Sequence, residues 1–505
     1  MDRSRIENAV FYQIYPQSFY DSNGDGIGDL NGITEKLDYI ADLGCTGIWI
    51  NPCFESPFYD AGYDVADYRK VAPRYGTNED LENLFREAHK RGILVLLDLV
   101  PGHTSYQHPW FRESSKAEKN EYTDRYAWTD SVWNSPEGYG CIRGFSERDG
   151  ACVTNFFTHQ PALNYGFAER KENWQQGTED PGPVATRNEI IDIMRFWLGK
   201  GCDGFRVDMA GSLVKNDPGQ RETIKLWQKI HGEIRKEYPD CLTVSEWGEP
   251  DKALKAGFSM DFLLHFGPSH YNDLFRCEHP YFMGEGDAKA FVERYQESRE
   301  KEKDGLICIP SGNHDMDRLA RHIHGENLKL AFAFLLSMPG IPYIYYGDEI
   351  GMRHVEGLAS KEGGYGRTGA RTPMQWNKEK NKGFSAADKT YLPVDTGADA
   401  PDVAGLEGIE NSLPEEVRRL IRVRKAHPAL RAGGEIEWIR EDGVLMYLRR
   451  AEGEKILIAI NPGKEAAEIE TDVELGEAVY AFGGAGAVGR TVKLPPVSFV
   501  LVSVK

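Results

Sequence analysis

The sequence predicts an α/β fold, a (β/α)8 TIM barrel with an inserted subdomain after strand 3 and a C-terminal antiparallel β-sandwich domain. Eight short apolar runs alternate with longer amphipathic stretches, which is the rhythm of parallel β/α units. No glycine-rich phosphate turn is present, so an open doubly wound sheet is the weaker choice. From about residue 430 the pattern changes to period-two alternation, the mark of antiparallel strands. A chain of 505 residues is too long for one ordinary core and fits a barrel with smaller units.

The predicted strands are, in order, AVFYQIYP, TGIWINP, GILVLLDLV, CDGFRVD, CLTVSEW, FSMDFLLHF, GLICIPSG and IPYIYYGDE. The helices between them include NGITEKLDYIADLG, NEDLENLFREAHKRG, RNEIIDIMRFWLGKG and GQRETIKLWQKIHGEIRKEY. The first three end on a glycine suited to a left-handed helix cap. After the third run, residues 104–168 are polar and aromatic without helical period and form the inserted subdomain. After the eighth, residues 347 to about 410 form a long glycine-rich connection on the same face. The barrel thus takes residues 1–103 and 169–429, and residues 430–505, with GVLMYLRRA, KILIAINP, EAVYAFGG and SFVLVSV, form the β domain.

Lys and Arg number 60 against 79 Asp and Glu, a formal charge of −19 that disfavours nucleic acid and anionic lipid as partners. The N-terminus lacks the apolar stretch of a secretory signal, and the apolar run 330–346 is broken by Pro339, Gly340 and Pro342. The expectation is a soluble cytoplasmic protein, monomer or homodimer, that contacts no membrane. The eight cysteines are scattered and mostly lie in apolar runs, which predicts reduced structural thiols, and none has zinc-ligand spacing with histidine.

The chemistry gathers where the predicted strands end. LLDLVPGH supplies Asp98 and His103, GFRVD supplies Arg206 and Asp208, VSEW supplies Glu246, and SGNHD supplies His314 and Asp315. A closed barrel brings these tips to one rim, so Asp208, Glu246 and Asp315 converge although far apart in sequence. Three carboxylates with an arginine and two histidines suit glycosidic bond cleavage, in which one carboxylate attacks the anomeric carbon and another protonates the leaving oxygen. Arg206, two residues before Asp208 and on the same strand face, is expected to keep that nucleophile ionised.

These four regions together resemble the ordered catalytic regions of the α-amylase superfamily, glycoside hydrolase family 13, over nearly the whole chain. The resemblance implies Asp208 as nucleophile, Glu246 as general acid/base and Asp315 as transition-state stabiliser, with Arg206, His103 and His314 orienting the sugar. It also implies that Tyr63, in AGYDVADY, stacks on that sugar. DSNGDGIGDLNGI, HTSYQHPWF, QPALN and ARTPMQW are similar to the oligosaccharide-processing branch of oligo-1,6-glucosidases, α-glucosidases, trehalose-6-phosphate hydrolases, sucrose isomerases and trehalose synthases. By that resemblance Asp60 and Arg371 hold the terminal glucose, and the substrate is a small oligosaccharide cleaved from its non-reducing end. An α-glucosyltransferase or isomerase uses the same covalent intermediate and is the alternative. A non-catalytic scaffold fits poorly, because the carboxylates are retained.

The pattern departs from the family at Gly102 and Ala162, where the resemblance implies Asn and Asp of a calcium site in amylases, so that site is expected to be absent. Met209-Ala210 follows Asp208 and leaves linkage preference open, and the stretch from Asp208 to Glu246 is short, which predicts an open leaving-group side. A separate loop, DSNGDGIGDLNG, spaces Asp21, Asn23, Asp25, the Ile27 carbonyl and Asp29 like the oxygen ligands of an EF-hand, with Gly26 at the turn. Position 12 is Gly32 rather than a bidentate Glu, so the expected Ca²⁺ is a structural clip and not a switch. No organic cofactor is expected.

Overall fold

The computed structural model describes residues 4–263, 269–301 and 305–505. The end of the sixth predicted strand run, 264–266, lies outside the described residues.

The eight predicted runs form eight parallel strands, β1 (Phe11–Ile14), β2 (Gly47–Ile50), β3 (Leu94–Leu99), β4 (Gly204–Val207), β5 (Leu242–Ser245), β6 (Met260–Phe262), β7 (Leu306–Pro310) and β8 (Ile341–Tyr345). They pair in chain order, and β8 pairs back onto β1 to close the barrel. Nearly every strand residue is buried on both sides, as expected where helices cover the outside and side chains fill the inside.

Inside the barrel Phe11, Trp49, Leu96, Val244, Met260, Phe262, Leu306 and Tyr343 form one packed cluster, separate from the larger core under the helices. Phe11 stacks on Tyr343 at 4.8 Å between ring centroids. That stack dictates a glycine across from it, since a Cβ at Gly47 would stand 2.3 Å from the Phe11 ring. Each large apolar side chain buried here contributes about 1.5–3 kcal/mol. With the interior filled, the titratable residues gather at the rim formed by the strand C-termini.

Helix ends follow the capping chemistry of the sequence. Thr77 and Asp80 form a capping box at the start of Asn78–Lys90, and Gly44 and Gly201 take left-handed conformations at the ends of their helices. The stretch 31–44, one amphipathic helix by its pattern, is two helices, Leu30–Glu35 and Leu37–Leu43, interrupted at Lys36. The Lys36 ammonium sits 4.1 Å and 4.5 Å from the Tyr20 and Trp376 ring centroids.

Residues 104–168 carry one short helix, Pro109–Ser114, and one hairpin, Cys141–Arg143 with Ala151–Val153, above a small core that includes Ala127, Val153, Ala162 and Phe167. The connection after β8 holds only short helical turns, among them Tyr365–Ala370 and Val403–Leu406. The C-terminal region has a five-stranded antiparallel sheet facing a three-stranded one across a shared core of Leu457, Val492, Leu494 and Val500. Two buried arginines stand near this junction, Arg424 within the barrel segment and Arg449 reaching from the C-terminal sheet to Ser337 of the barrel. Arg424 donates to the carbonyls of Leu336, Met338 and Gly340, and Arg449 to those of Ser337 and Arg431.

Cys45, Cys53, Cys141, Cys152, Cys202, Cys241 and Cys277 carry free thiols. Among the described residues no helix is long and apolar enough to cross a membrane.

Candidate active site

The strand tips meet in a cavity of about 480 Å³ lined by Asp60, Tyr63, His103, Asp208, Glu246, His314, Asp315 and Arg371, so eight of the nine expected catalytic and sugar-binding residues face it directly. The ninth, Arg206, lies just beneath. Its guanidinium contacts Asp208 Oδ1 at 3.0 Å, Glu246 Oε1 at 2.9 Å and Asp98 Oδ1 at 2.9 Å. One planar fork therefore sets the nucleophile candidate and the acid candidate side by side, close enough for their carboxyls to hydrogen-bond.

That division of one cation among three carboxylates alters an expectation. Arg206 was expected to keep Asp208 ionised, yet burial, and next the Glu246 carboxylate, push the Asp208 carboxyl well above the usual range against the pull of Arg206. Glu246 is fixed further by the Met209 backbone N–H, which donates to Oε2 at 3.0 Å. Asp261 on β6 steadies the same strand end by accepting from Ser245 Oγ and the Trp247 and Gly248 backbone N–H groups.

Asp315 sits in the opposite electrostatic setting. Burial alone would raise its carboxyl, but His314, Arg371 and Arg367 hold it well below the ordinary range. Arg371 Nη2 donates to Oδ1 at 3.1 Å, Arg367 pairs with the same oxygen, and His314 Nε2 lies 3.1 Å from Oδ2. The amide nitrogens of Gln13 and Asn51 both stand 3.1 Å from His314 Nδ1. Both can donate only to a bare Nδ1, which leaves the ring proton on Nε2, facing Asp315.

Tyr63 stacks on His314 with 5.3 Å between centroids and donates its hydroxyl to Asp98 Oδ2 at 2.9 Å. His103 is buried, and burial pushes it down to about 3. Its Nε2 lies 3.1 Å from the Tyr63 carbonyl and its Nδ1 3.0 Å from Asn155 Nδ2, so it stands as a neutral ring. Asp60 accepts from Gln160 Nε2 at 2.7 Å, and burial raises its carboxyl to about 6 despite Gln160 and Arg371.

Sequence reasoning left Gln13, Asn51, Asn155, Gln160, Arg367 and Asp261 out of the site and gave Asp98 no role. Asp98 proves to be the hub that binds Arg206, Tyr63 and Trp49 Nε1, and burial raises it to about 6. The signal available for it was its place at the tip of β3. The others come from loops or from inward strand positions whose partners are distant in sequence.

In the 21–29 loop the Asp21 carboxylate accepts from the Gly24 and Gly26 N–H groups at 2.7 Å each and from the Ser385 hydroxyl. Asn23 Oδ1 and Asp25 Oδ1 accept from the N–H groups of Asp25 and Ile27. Asp29 caps the helix Leu30–Glu35 through Gly32 N–H. Among the described residues no three His, Cys, Asp or Glu side chains are grouped so as to hold a metal by themselves. A ligand set here needs the Asn23 amide and the Ile27 carbonyl beside the carboxylates. All five donors are oxygens, which fits a hard cation such as Ca²⁺ rather than a thiophilic metal.

Residues 13–433 match the model of the α-amylase catalytic domain. The chain belongs to the α-amylase family. It is 32% identical over 544 residues to an oligo-1,6-glucosidase of Parageobacillus thermoglucosidasius, with 91% of each chain covered. It is also 32% identical to a trehalose synthase/amylase of Mycolicibacterium smegmatis, covering 89% of this chain and 81% of that one. Among solved structures, a trehalulose synthase superposes with a TM-score of 0.86 at 28% identity over 99% of both chains. An isomaltulose synthase of Erwinia rhapontici solved with sucrose gives 0.85 at 26%, again over 99% of both. The α-amylase-family barrel therefore extends over this chain with its rim constellation of Asp208, Glu246 and Asp315 in one cavity.

Proposed function

We propose that the protein is a retaining α-glucosidase that hydrolyses short α-glucosides from the non-reducing end through a covalent glycosyl-enzyme. The observation that carries this reading is the single guanidinium of Arg206 holding Asp208 and Glu246 together. Carboxyls this close leave no room between them for the water of an inverting enzyme and suit a nucleophile beside an acid.

Asp208 attacks the anomeric carbon as the glycosidic bond breaks, and Glu246, as the acid, gives a proton to the departing oxygen. Glu246, now a base, takes a proton from water, which attacks the same carbon and releases Asp208. Two inversions return the α-anomer. Asp315, held ionised by its cations, accepts hydroxyls of the −1 glucose, and Asp60 with Arg371 closes the pocket on its far side. Asp21, Asn23, Asp25, Asp29 and the Ile27 carbonyl hold a structural Ca²⁺ away from this chemistry. The free thiols support a reducing, cytoplasmic setting.

A second reading has support in the likeness to a trehalose synthase/amylase and to a sucrose-bound isomaltulose synthase. There a sugar hydroxyl replaces water at the second step. One experiment addresses both readings, a product profile on maltose, isomaltose, trehalose, sucrose and maltotriose. Free glucose as the main product is expected, and isomerised disaccharide as the main product would replace hydrolysis with the second reading. Asp208→Asn should lower kcat by about 10⁴-fold or more while leaving the melting temperature near that of the parent.

A further inference from the structure

Three loops meet beside His103. Gly102 and His103 follow β3, Asn155 follows the hairpin of the inserted subdomain, and Lys215 comes from the connection after β4. Asn155 Nδ2 stands 3.0 Å from His103 Nδ1, and Asn155 Oδ1 stands 3.3 Å from Lys215 Nζ. One amide therefore joins the lysine to the imidazole.

The chemistry of the outer groups fixes the direction of every bond between them. His103 Nε2 faces the Tyr63 carbonyl at 3.1 Å, and a carbonyl only accepts, so Nε2 carries the ring proton and Nδ1 is bare. A bare Nδ1 needs a donor. At the other end an ammonium only donates, so Lys215 holds the amide oxygen and turns the Asn155 NH₂ toward the ring. Lys215 is itself buried at 7% exposure, has no carboxylate among the described residues paired to it, and donates also to the Ser212 carbonyl at 3.2 Å. The other amide hydrogen of Asn155 goes to Met209 Sδ, 3.7 Å away. Reversing the amide would set its NH₂ against the ammonium and its oxygen against a bare ring nitrogen.

Gly102 supplies the room. Its backbone is not left-handed, so the conformation does not demand glycine. A Cβ there would stand 2.7 Å from Asn155 Nδ2 and push the amide off the ring. His103 lines the glucose cavity whereas Asn155 and Lys215 do not, so their effect on the glucose passes through the ring.

We propose that Asn155, aimed by Lys215 and admitted by Gly102, is a positioning residue that sets the tautomer and tilt of His103 against the glucose. The effect on turnover rests on the α-glucosidase reading, while the tautomer is read without any substrate. The test combines nitrogen NMR of the histidine rings, with His103 assigned by its loss in His103→Gln, and kcat/KM for α-glucosyl fluoride, whose leaving group makes no sugar contacts. Asn155→Asp keeps the size and the Lys215 contact but replaces the donor at Nδ1 by an acceptor. It should keep the parent's melting temperature, bring a proton onto Nδ1 and lower kcat/KM by about tenfold or more, the scale of a buried group left unsatisfied. Asn155→Ala should mix the two tautomers and lose about tenfold. Gly102→Ala should cost several-fold in the parent and nothing in the Asn155→Ala background, where the amide it displaces is gone.

A parent ring with its proton on Nδ1 overturns the proposal, and so does either full activity or an unmoved proton in Asn155→Asp. A Gly102→Ala cost equal in both backgrounds overturns it as well, since that would mark a packing effect independent of the amide. A parent inert on the fluoride overturns the glucosidase reading alone, and the tautomer is still decided by the NMR.

Discussion

At the scale of single residues, two carboxyls in one cavity are driven in opposite directions. Asp315 is surrounded by three cationic or donor side chains and stays ionised, whereas Asp60, with one amide donor and a more distant Arg371, is raised to about 6. A protonated Asp60 cannot accept a sugar hydroxyl through that oxygen, so binding should weaken as pH falls through about 6. KM for maltose is therefore expected to rise from pH 7 to pH 5 in the parent. In Asp60→Asn it should be raised at both ends and nearly flat, by about tenfold at pH 7. A parent KM independent of pH together with a normal KM in Asp60→Asn would remove Asp60 from the binding site. Asp208 and Glu246 were legible because each directly follows an apolar strand, and Asp315 because it closes the SGNHD loop just after β7. Asp98 also ends a strand, but its meaning lies in Arg206, Tyr63 and Trp49, which only barrel closure brings to it. Arg367 stands in an irregular loop with no periodicity to place it against Asp315.

At the scale of elements, the acidic loop shows how a local motif joins distant parts of the chain. The Asp21 N–H binds the Phe384 carbonyl, Ser385 binds the Asp21 carboxylate, and the Tyr391 N–H binds the Gly26 carbonyl. The loop after β1 is thereby laced to the long connection after β8, the same connection that delivers Arg367 and Arg371 to the cavity. A Ca²⁺ held by the loop would stabilise the folded chain by mass action. Chelation is expected to lower the melting temperature by several degrees, with added Ca²⁺ restoring it, and an unchanged melting temperature would dismiss the ion. All eight strands were visible as apolar runs bounded by glycine, proline or charge. The break at Lys36 was not, because the aromatic rings that hold Lys36 come from residues 20 and 376 and the helical pattern runs through it unchanged.

At the scale of the whole molecule, a chain of net charge −19 sets Arg367 and Arg371 in one cavity, with Arg206 beneath it, among carboxylates. The barrel supplies the convergence, its packed interior closes the bottom, and the loops after β2, β3, β4 and β8 supply the walls. The central claim is that Asp208 and Glu246, joined on one guanidinium, act as nucleophile and acid of a double displacement. Proton NMR of the glucose first released from maltose, recorded before mutarotation, tests it most directly. The account predicts the α-anomer, and initial release of β-glucose would contradict it.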